Sequence, residues 1–259
     1  MLSCKKDKEF FSKDGQRLPV KLYVYATDKS NLIQTYYFKY NGLGQKIETW
    51  IFDKDNIKYS FEKAEYNSNG NIIKEHFFYK QPDGSFKEAQ VKSYIYSDSN
   101  NQHLLIKQEK FSYGELTNWI SYQYQNQNLV SEIFYVRYPE FNQISISGKN
   151  EYEYDSEGKL IIRKKFYGEN TTPSYIHQLV YDNSLLVREN ITTNLFPETI
   201  ECFYNFRKQL LAKKHFENSQ TLLDSETNIY NEEGSLIEKI LYDTQTSSYV
   251  YTYIQVYAY

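Results

Sequence analysis

Two glutamates, Glu151 and Glu153, stand two residues apart in the segment EYEYDSEGKLIIRKKFYG. Positions i and i+2 of a β-strand point to the same face of a sheet, and glycoside hydrolases use two carboxyl groups separated by roughly 5 to 10 Å. The pair could therefore act on a polysaccharide. The alternative is a solvated strand face on which Lys164 or Arg163 of the next strand balances the charge, and we favour that interpretation.

Other residues able to support catalysis or bind metal do not form recognisable motifs. None of the four histidines is followed by a second histidine or a cysteine two or four residues later, so we expect no metal site. They are His76, His103, His177 and His215. The chain has no G-x-S-x-G sequence and no glycine-rich nucleotide loop. We expect no catalytic residue and no cofactor, and we interpret Cys202 as a small core residue.

Aromatic residues are abundant, with 28 tyrosines, 16 phenylalanines and 2 tryptophans. Exposed aromatic rings form flat platforms for a sugar or a partner protein, because they give a large contact area at a small entropic cost. Trp50 and Trp119 are the best candidates for such binding residues, since each lies on a predicted strand that leaves a turn. The alternative is that these rings pack against neighbours and stabilise a thin sheet.

The aromatic residues belong to a repeat with a spacing of 23 to 30 residues, which is typical of repeat architectures. Each repeat contains one tyrosine, here called the anchor tyrosine, at the end of an alternating segment. The eight anchor tyrosines are Tyr40, Tyr66, Tyr96, Tyr124, Tyr154, Tyr181, Tyr204 and Tyr230. An Asn or Asp follows six of them and opens a turn, and a Gly four residues after the anchor closes the turn in half of the repeats. Each repeat therefore predicts a β-hairpin.

The repeats together predict the fold class. Four of the five prolines fall between the predicted hairpins, where no ladder N–H is needed: Pro82, Pro139, Pro173 and Pro197. We expect an all-β fold, a repeat-built antiparallel meander of about 16 to 18 strands coiled into a spiral or barrel-like sheet, with the coiled form favoured. Residues 1–16 are expected to form an N-terminal tether, and residues 17–259 a single domain.

The two faces of the predicted strands differ in character. The anchor face is mostly apolar or aromatic and is expected to be packed. The residue before the anchor is mostly polar in the first repeats, but it is apolar in the last three, where it is Val180, Phe203 and Ile229. A strand that is apolar on both faces is usually covered twice. We expect the chain to overlay this region itself, and a partner surface is the alternative.

Composition excludes some classes of function. Charged residues make up 24% of the chain and the net charge is −3, which argues against a nucleic-acid partner. No apolar run reaches 18 residues, so no transmembrane helix is expected. An outer-membrane barrel is a third alternative, but the charged segment LIIRKKFY would interrupt the apolar band that such a barrel requires.

The first residues, MLSCKKDK, resemble the cysteine region of bacterial lipoproteins of the Bacteroidetes type. In that family the cysteine after a small residue carries the lipid, which implies lipidation of Cys4. Only three residues precede Cys4, so the apolar core of a lipoprotein signal is not part of this sequence.

The repeat itself resembles the YD-repeat family, through segments such as YEYDSEGKL, AEYNSNGNI and NIYNEEGSL between about Tyr36 and Tyr242. YD repeats in Rhs-type proteins build a long antiparallel sheet that coils into a shell. This chain is much shorter than those shells, and it is more similar to short YD-type lipoproteins. The resemblance implies a non-catalytic protein of the cell envelope, attached to the outer membrane, either periplasmic or surface-exposed.

Two hypotheses about function follow. The first is a non-enzymatic YD-repeat lipoprotein with a binding or structural role. Its partner would be a protein or a glycan, and it would meet the membrane only through the lipid anchor. The second is a surface protein that binds or acts on polysaccharide through aromatic platforms and a carboxylate pair.

Overall fold

The chain folds into successive β-hairpins in the computed structural model, which describes residues 18–26, 31–97, 103–193, 196–244 and 248–257. The described strands are β1 (Pro19–Ala26), β2 (Asn31–Tyr40), β3 (Lys46–Asp53), β4 (Lys58–Tyr66), β5 (Ile72–Lys80), β6 (Phe86–Tyr96), β7 (Leu105–Ser112), β8 (Glu115–Gln125), β9 (Asn128–Tyr138), β10 (Gln143–Tyr154), β11 (Leu160–Tyr167), β12 (Tyr175–Asp182), β13 (Leu185–Thr193), β14 (Glu198–Tyr204), β15 (Leu210–Glu217), β16 (Thr221–Tyr230), β17 (Leu236–Asp243) and β18 (Ser248–Tyr257). A short 3-10 helix, Pro139–Phe141, connects β9 to β10.

The eighteen strands belong to one antiparallel sheet, as the repeat predicts. β1 pairs with β2 on one side and with β18 on the other, so the strand order closes on itself. The predicted all-β, repeat-built antiparallel meander is confirmed, and its strand order is the barrel-like one. Within the described ranges, no helix is both long and apolar enough to span a membrane.

The chain divides into two compact units. The terminal unit contains residues 1–88 and 224–259, and the central unit contains residues 89–223. The single domain expected from residue 17 to residue 259 stays a prediction. The expected tether, residues 1–16, and Cys4 within it lie outside the described residues.

Each anchor tyrosine lies at the turn end of an even-numbered strand, from β2 to β16. The pairing register shifts immediately before every anchor tyrosine, as in the step from Glu153 to Tyr154 in the β10–β11 hairpin. Such a bulge increases the local twist of the strand pair. The anchor tyrosine then pairs with the first residue of the next strand or the residue after it, for example Tyr154 with Leu160.

The turn after Tyr154 shows why the repeat carries Asp or Asn and then Gly. The Asp155 Oδ1 atom accepts hydrogen bonds from the backbone N–H groups of Glu157 (3.0 Å) and Lys159 (2.8 Å). Gly158 has a φ of 80°, in the left-handed region that glycine adopts without strain. The same side-chain bonds recur after other anchors, from Asn41, Asn67 and Asn205.

Three hairpins depart from this turn and still keep a positive φ. Lys208 stands where the others have Gly and adopts a φ of 61°. The hairpins β8–β9 and β12–β13 close with two residues of positive φ each, which is the type I′ geometry. In the β8–β9 turn, Asn126 and Gln127 adopt φ values of 50° and 71° without a glycine.

The anchor face is the more buried of the two, as predicted, and Cys202 is a buried residue on it. The residue before the anchor is exposed in all eight repeats. This includes Val180, Phe203 and Ile229, which are 42%, 42% and 39% exposed. The expectation that the chain overlays these three residues is therefore wrong, because each of them keeps about two fifths of its surface exposed in the described structure. The alternative of a partner surface stays a prediction.

Candidate functional site

The anchor tyrosines connect neighbouring hairpins through a repeated hydrogen bond. In five repeats the described hydroxyl donates to a backbone carbonyl of the preceding strand: Tyr40 to Pro19 (2.8 Å), Tyr66 to Lys46 (2.8 Å), Tyr124 to Leu105 (2.9 Å), Tyr154 to Leu129 (2.8 Å) and Tyr204 to Leu186 (3.0 Å). We call this series the tyrosine ladder. In four of the five, the accepting residue is the one that pairs with the previous anchor.

The tyrosine ladder explains why the repeat uses tyrosine and not phenylalanine. Burial raises the pKa of the phenol at Tyr66, Tyr124 and Tyr154, so each hydroxyl keeps its proton and remains a donor. The carbonyl that accepts this bond sits at the bulge, where the regular ladder is interrupted. The anchor tyrosines therefore have a framework role.

In the central unit, the anchor face also carries a hydrogen-bonded row of polar side chains. The Tyr152 hydroxyl donates to Glu132 Oε2 at 2.6 Å, and Asn150 Nδ2 donates to the same oxygen at 2.8 Å. Burial, together with the bond to the Glu132 carboxylate and its charge, raises the pKa of Tyr152 far above its usual range. Burial also raises the pKa of Tyr122 to about 12, with the Glu132 charge adding to the effect.

Beyond Tyr152, this row continues into a charged cluster of three residues, Arg163, His177 and Glu189. Arg163 Nη2 donates to Glu189 Oε1 at 2.9 Å, and His177 Nδ1 contacts the same carboxylate oxygen. The side chains of His177 and Glu189 are each 13% exposed. The hydrogen bond from His177 lowers the pKa of Glu189, and the nearby charges of His177 and Arg163 lower it further, so Glu189 is an anion.

A cavity of about 450 Å³ lies beside this cluster, at the middle of β10 and the end of β11, away from the Asp155 turn. Its lining includes the rings of Phe134 and Tyr167 and the charged side chains of Arg163 and Lys165. Ligand cavities typically measure roughly 300 to 1,000 Å³ and combine aromatic walls with a few polar groups. The cavity therefore has the size and composition of a site for a small molecule.

The backbone at this end contains a register shift and a close approach between strands. The β9–β10 register shifts between Ile146 and Gly148. A Cβ atom on Gly148 would lie 2.8 Å from the carbonyl oxygen of Phe166, so β10 and β11 approach each other more closely than a side chain permits. Bulges and close-approach glycines often occur beside functional sites, because they redirect side chains.

Lys165 lines the cavity and has no carboxylate partner among the described residues. No described carboxylate lies within ion-pairing distance of its ammonium group, whereas Arg163 pairs with Glu189 at 2.9 Å. The Lys165 Nζ atom lies 5.0 Å from the centroid of the Tyr167 ring and 5.6 Å from that of Tyr175. Aromatic faces attract the ammonium group but do not neutralise it.

The two tryptophans lie on the face opposite the anchors, one in each unit. Trp50 is 39% exposed, its Nε1 donates to Glu48 at 3.0 Å, and the Lys58 ammonium lies 3.2 Å from its ring centroid. Trp50 also borders a shallow cavity of about 330 Å³. Trp119 stacks on Tyr135, with centroids 4.9 Å apart and ring planes 11° apart. Both rings pack against neighbours, and the exposed part of Trp50 is the better platform.

Local lysines neutralise the carboxylate pair that the sequence offered for polysaccharide chemistry. Glu151 pairs with Lys149 at 2.7 Å, and Glu153 pairs with Lys164. The favoured interpretation, a charge-balanced solvated face, is confirmed for Lys164. Arg163, the alternative partner, lies opposite Tyr152 of β10 and therefore on the anchor face.

Besides His177, two further histidines contact glutamates. His76 lies 3.0 Å from Glu65 and 2.7 Å from Glu88, and His215 lies 2.9 Å from Glu198. No group of three or more metal-ligating side chains was found among the residues that the structure describes. The site at His177 was not identified from the sequence. The available signal was the run Arg163-Lys164-Lys165, since alternation along a strand places Arg163 and Lys165 on one face and Lys164 on the other.

Comparison with known proteins yields only weak structural likenesses. No protein-family model matches the chain. No curated protein matches it either. The chain is similar to the crystal structure of TcdB2-TccC3-Cdc42, with a TM-score of 0.42 and 16% identity over 85% of its length, and to that of TcdB2-TccC3, with a TM-score of 0.39 and 13% identity over 95%. It spans only 13% and 16% of those two chains.

The chain is also similar to a porin-like protein from Bacteroides uniformis, with a TM-score of 0.49 and 8% identity. That likeness covers 92% of this chain and 97% of the other. The scores and identities are too low to carry an argument about fold or function, which therefore depends on the residues themselves.

Proposed function

We propose that the protein is a non-catalytic, YD-repeat-type protein of the cell envelope with a binding role. The tyrosine ladder carries this proposal, because it commits the hydroxyls of five anchor tyrosines to holding hairpins together. A sheet held in this way presents fixed side chains to a ligand, which suits recognition. The partner is a small molecule, a glycan or a protein, and not a nucleic acid.

Attachment to the outer membrane through a lipid on Cys4 is the second part of the proposal. The cysteine follows Leu2 and Ser3 and precedes a charged segment, as in the lipoproteins that this start resembles. Mass spectrometry of the N-terminal peptide, prepared from membranes of the native cells, tests it. We expect a peptide that begins at Cys4 and carries acyl chains. An unmodified cysteine, or recovery of the protein only from the cytosolic fraction, would rule the lipid anchor out.

A glycan array with the full chain tests the binding role. We expect a restricted set of glycans to be retained and recovered with unchanged mass. Shortened glycans would show that the protein is an enzyme and would overturn the non-catalytic part of the proposal. Failure to retain any glycan, small molecule or protein partner would overturn the binding role.

A carbohydrate platform at Trp50 is the second candidate function. The observation that favours it is the 39% exposed indole beside a shallow cavity of about 330 Å³. If this surface binds sugar, Trp50→Ala should weaken glycan retention about ten-fold, while Trp119→Ala, whose ring stacks on Tyr135, should not. Equal retention by wild type and Trp50→Ala would exclude the platform.

A further inference from the structure

We infer that the cavity in the central unit binds a small acidic sugar, with its carboxylate on Lys165 and Arg163 and its ring against the aromatic wall. The inference rests on the proposed binding role and adds the chemical class of the ligand. It depends on the charge, the lining and the backbone of the cavity.

The charge balance of the lining favours an anion. Three cationic residues, Lys149, Arg163 and Lys165, line the cavity. Glu151 pairs with Lys149 at 2.7 Å and Glu189 pairs with Arg163 at 2.9 Å, so these two carboxylates leave Lys165 without a counter-charge. Lys165 is exposed and has no carboxylate partner among the described residues. An uncompensated ammonium beside a guanidinium is a site for a carboxylate, since charge-assisted bonds are stronger than neutral ones. Glu189 remains on His177 and does not compete for Lys165.

The rest of the lining favours a hydroxylated ring. Phe134 and Tyr167 supply apolar ring faces, while Ser147 and Asn150 supply a hydroxyl and an amide. A sugar ring has both apolar C–H faces and a rim of hydroxyls, so it uses both kinds of group. The volume of about 450 Å³ exceeds what a bare inorganic anion fills, which leaves space for the ring.

The backbone supports a built cavity and not a gap in packing. A Cβ atom at position 148 would lie only 2.8 Å from the Phe166 carbonyl oxygen, so glycine permits the close approach of β10 and β11. The neighbouring bulge interrupts the regular pairing of β9 and β10. Both features lie at the end of the hairpin where the cavity opens. A larger residue at position 148 would separate the two strands that form its floor.

Isothermal titration calorimetry of the full chain with D-glucuronate, D-glucose and inorganic phosphate tests the inference. We expect glucuronate to bind, and glucose and phosphate each to bind at least ten-fold more weakly. Raising the salt concentration should weaken glucuronate binding further, because salt screens an exposed charge pair. Equal affinity for glucose, equal affinity for phosphate, or no detectable binding of glucuronate would overturn the inference.

Two adjacent lysines provide a matched pair of variants. Lys165→Gln removes the unpaired cation of the cavity, and Lys164→Gln makes the same charge change on the opposite face, where the lysine pairs with Glu153. We expect the first to weaken glucuronate binding about ten-fold, as loss of a charge-assisted bond implies, and the second to change it less than two-fold. Circular dichroism should confirm that both variants fold. Equal effects would refute the assignment of the anion to Lys165.

Failure of this inference can be distinguished from failure of the proposed function. If glucose binds as tightly as glucuronate, the binding role stands and only the ligand class is wrong. If the N-terminal peptide is unmodified, the lipid anchor fails and the cavity is unaffected.

Discussion

The two ends of the β10–β11 hairpin differ in how closely they follow the repeat. At the turn end, Tyr154, Asp155 and Gly158 reproduce the bonds and dihedral angles of the other repeats. At the other end lie the close approach at Gly148 and the exposed Lys165, two features that the turn end of this hairpin lacks. The repeat holds the sheet together at one end, and the other end is therefore available for a specific site.

The largest effect should come from adding a side chain at the cavity end. Gly148→Ala places a Cβ atom 2.8 Å from the carbonyl oxygen of Phe166, so the strands must move apart. We expect the free energy of unfolding to fall by about 1–3 kcal/mol, as for other overpacked sites, in a urea titration.

The matched control is Gly42→Ala, because a Cβ there meets nothing within 4 Å. Its unfolding midpoint should stay close to that of the wild type. If both variants behave alike, the close approach at Gly148 is not important for stability, and the contrast between the two ends is lost.

The second-largest effect should be a loss of folding stability at alkaline pH, caused by ionisation of half-buried tyrosines near the anchor turns. The pKa of Tyr122 is about 12 in the folded protein, above its ordinary value of 10. The unfolded chain therefore loses this proton first, so the stabilisation is complete below pH 10 and is lost as the pH rises towards 12. Two pKa units correspond to about 2.7 kcal/mol, which we reduce to about 1–2 kcal/mol for solvent screening of a half-buried group.

Urea titrations of the wild type and of Tyr122→Phe at about pH 9 and about pH 11 check this prediction. The wild type should lose more stability between the two pH values than the variant, which has no proton to release. Identical losses would show that burial of Tyr122 does not contribute to the alkaline transition.

Removing one hydroxyl of the tyrosine ladder should have a smaller effect. Tyr154→Phe removes the bond to the Leu129 carbonyl and should lower the free energy of unfolding by about 1 kcal/mol. The control is Tyr138→Phe, since Tyr138 is 47% exposed, and it should remain within about 0.5 kcal/mol of the wild type. A loss as small for Tyr154→Phe as for the control would mean that the ladder does not stabilise the sheet.

The smallest effect should be a gain of stability at the turn after Tyr204, which is opened by Asn205 and has no glycine. Lys208 adopts a φ of 61°, which strains a residue with a Cβ, whereas Gly158 occupies the equivalent position at 80°. Lys208→Gly should therefore raise the free energy of unfolding by about 0.5–1 kcal/mol, and Gly158→Ala should lower it by about 1 kcal/mol. Thermal melts of both variants check the pair, and a change of the same sign in both would contradict the shared turn geometry.

The repeat motifs predicted the turn ends of the hairpins well, because local chemistry determines them. Asp155 and Gly158 act on backbone atoms within four residues, so their pattern is readable in the sequence. The anchor positions, the strand number and the prolines between hairpins followed from the same signals. The tyrosine ladder was not predicted, since its acceptor lies 18 to 25 residues away along the chain.

The candidate site was out of reach of sequence reasoning for a related reason. Strand side chains alternate between faces, so one shift in register moves a side chain from one face to the other. The bulge before Tyr154 therefore decided that Arg163 and Lys165 share the anchor face while Lys164 points away. The sequence left Lys164 and Arg163 as alternative partners of the glutamates, because it could not place that bulge.

By itself, the sequence determined an antiparallel array of hairpins, because tight turns and alternating strands depend on neighbouring residues. Only the tertiary structure decided which cations meet at one cavity and which apolar residues before the anchors stay exposed. Those outcomes depend on register and on the approach of β9, β10, β11 and β12, and they place Phe134, Arg163 and His177 together although 43 residues separate the first from the last.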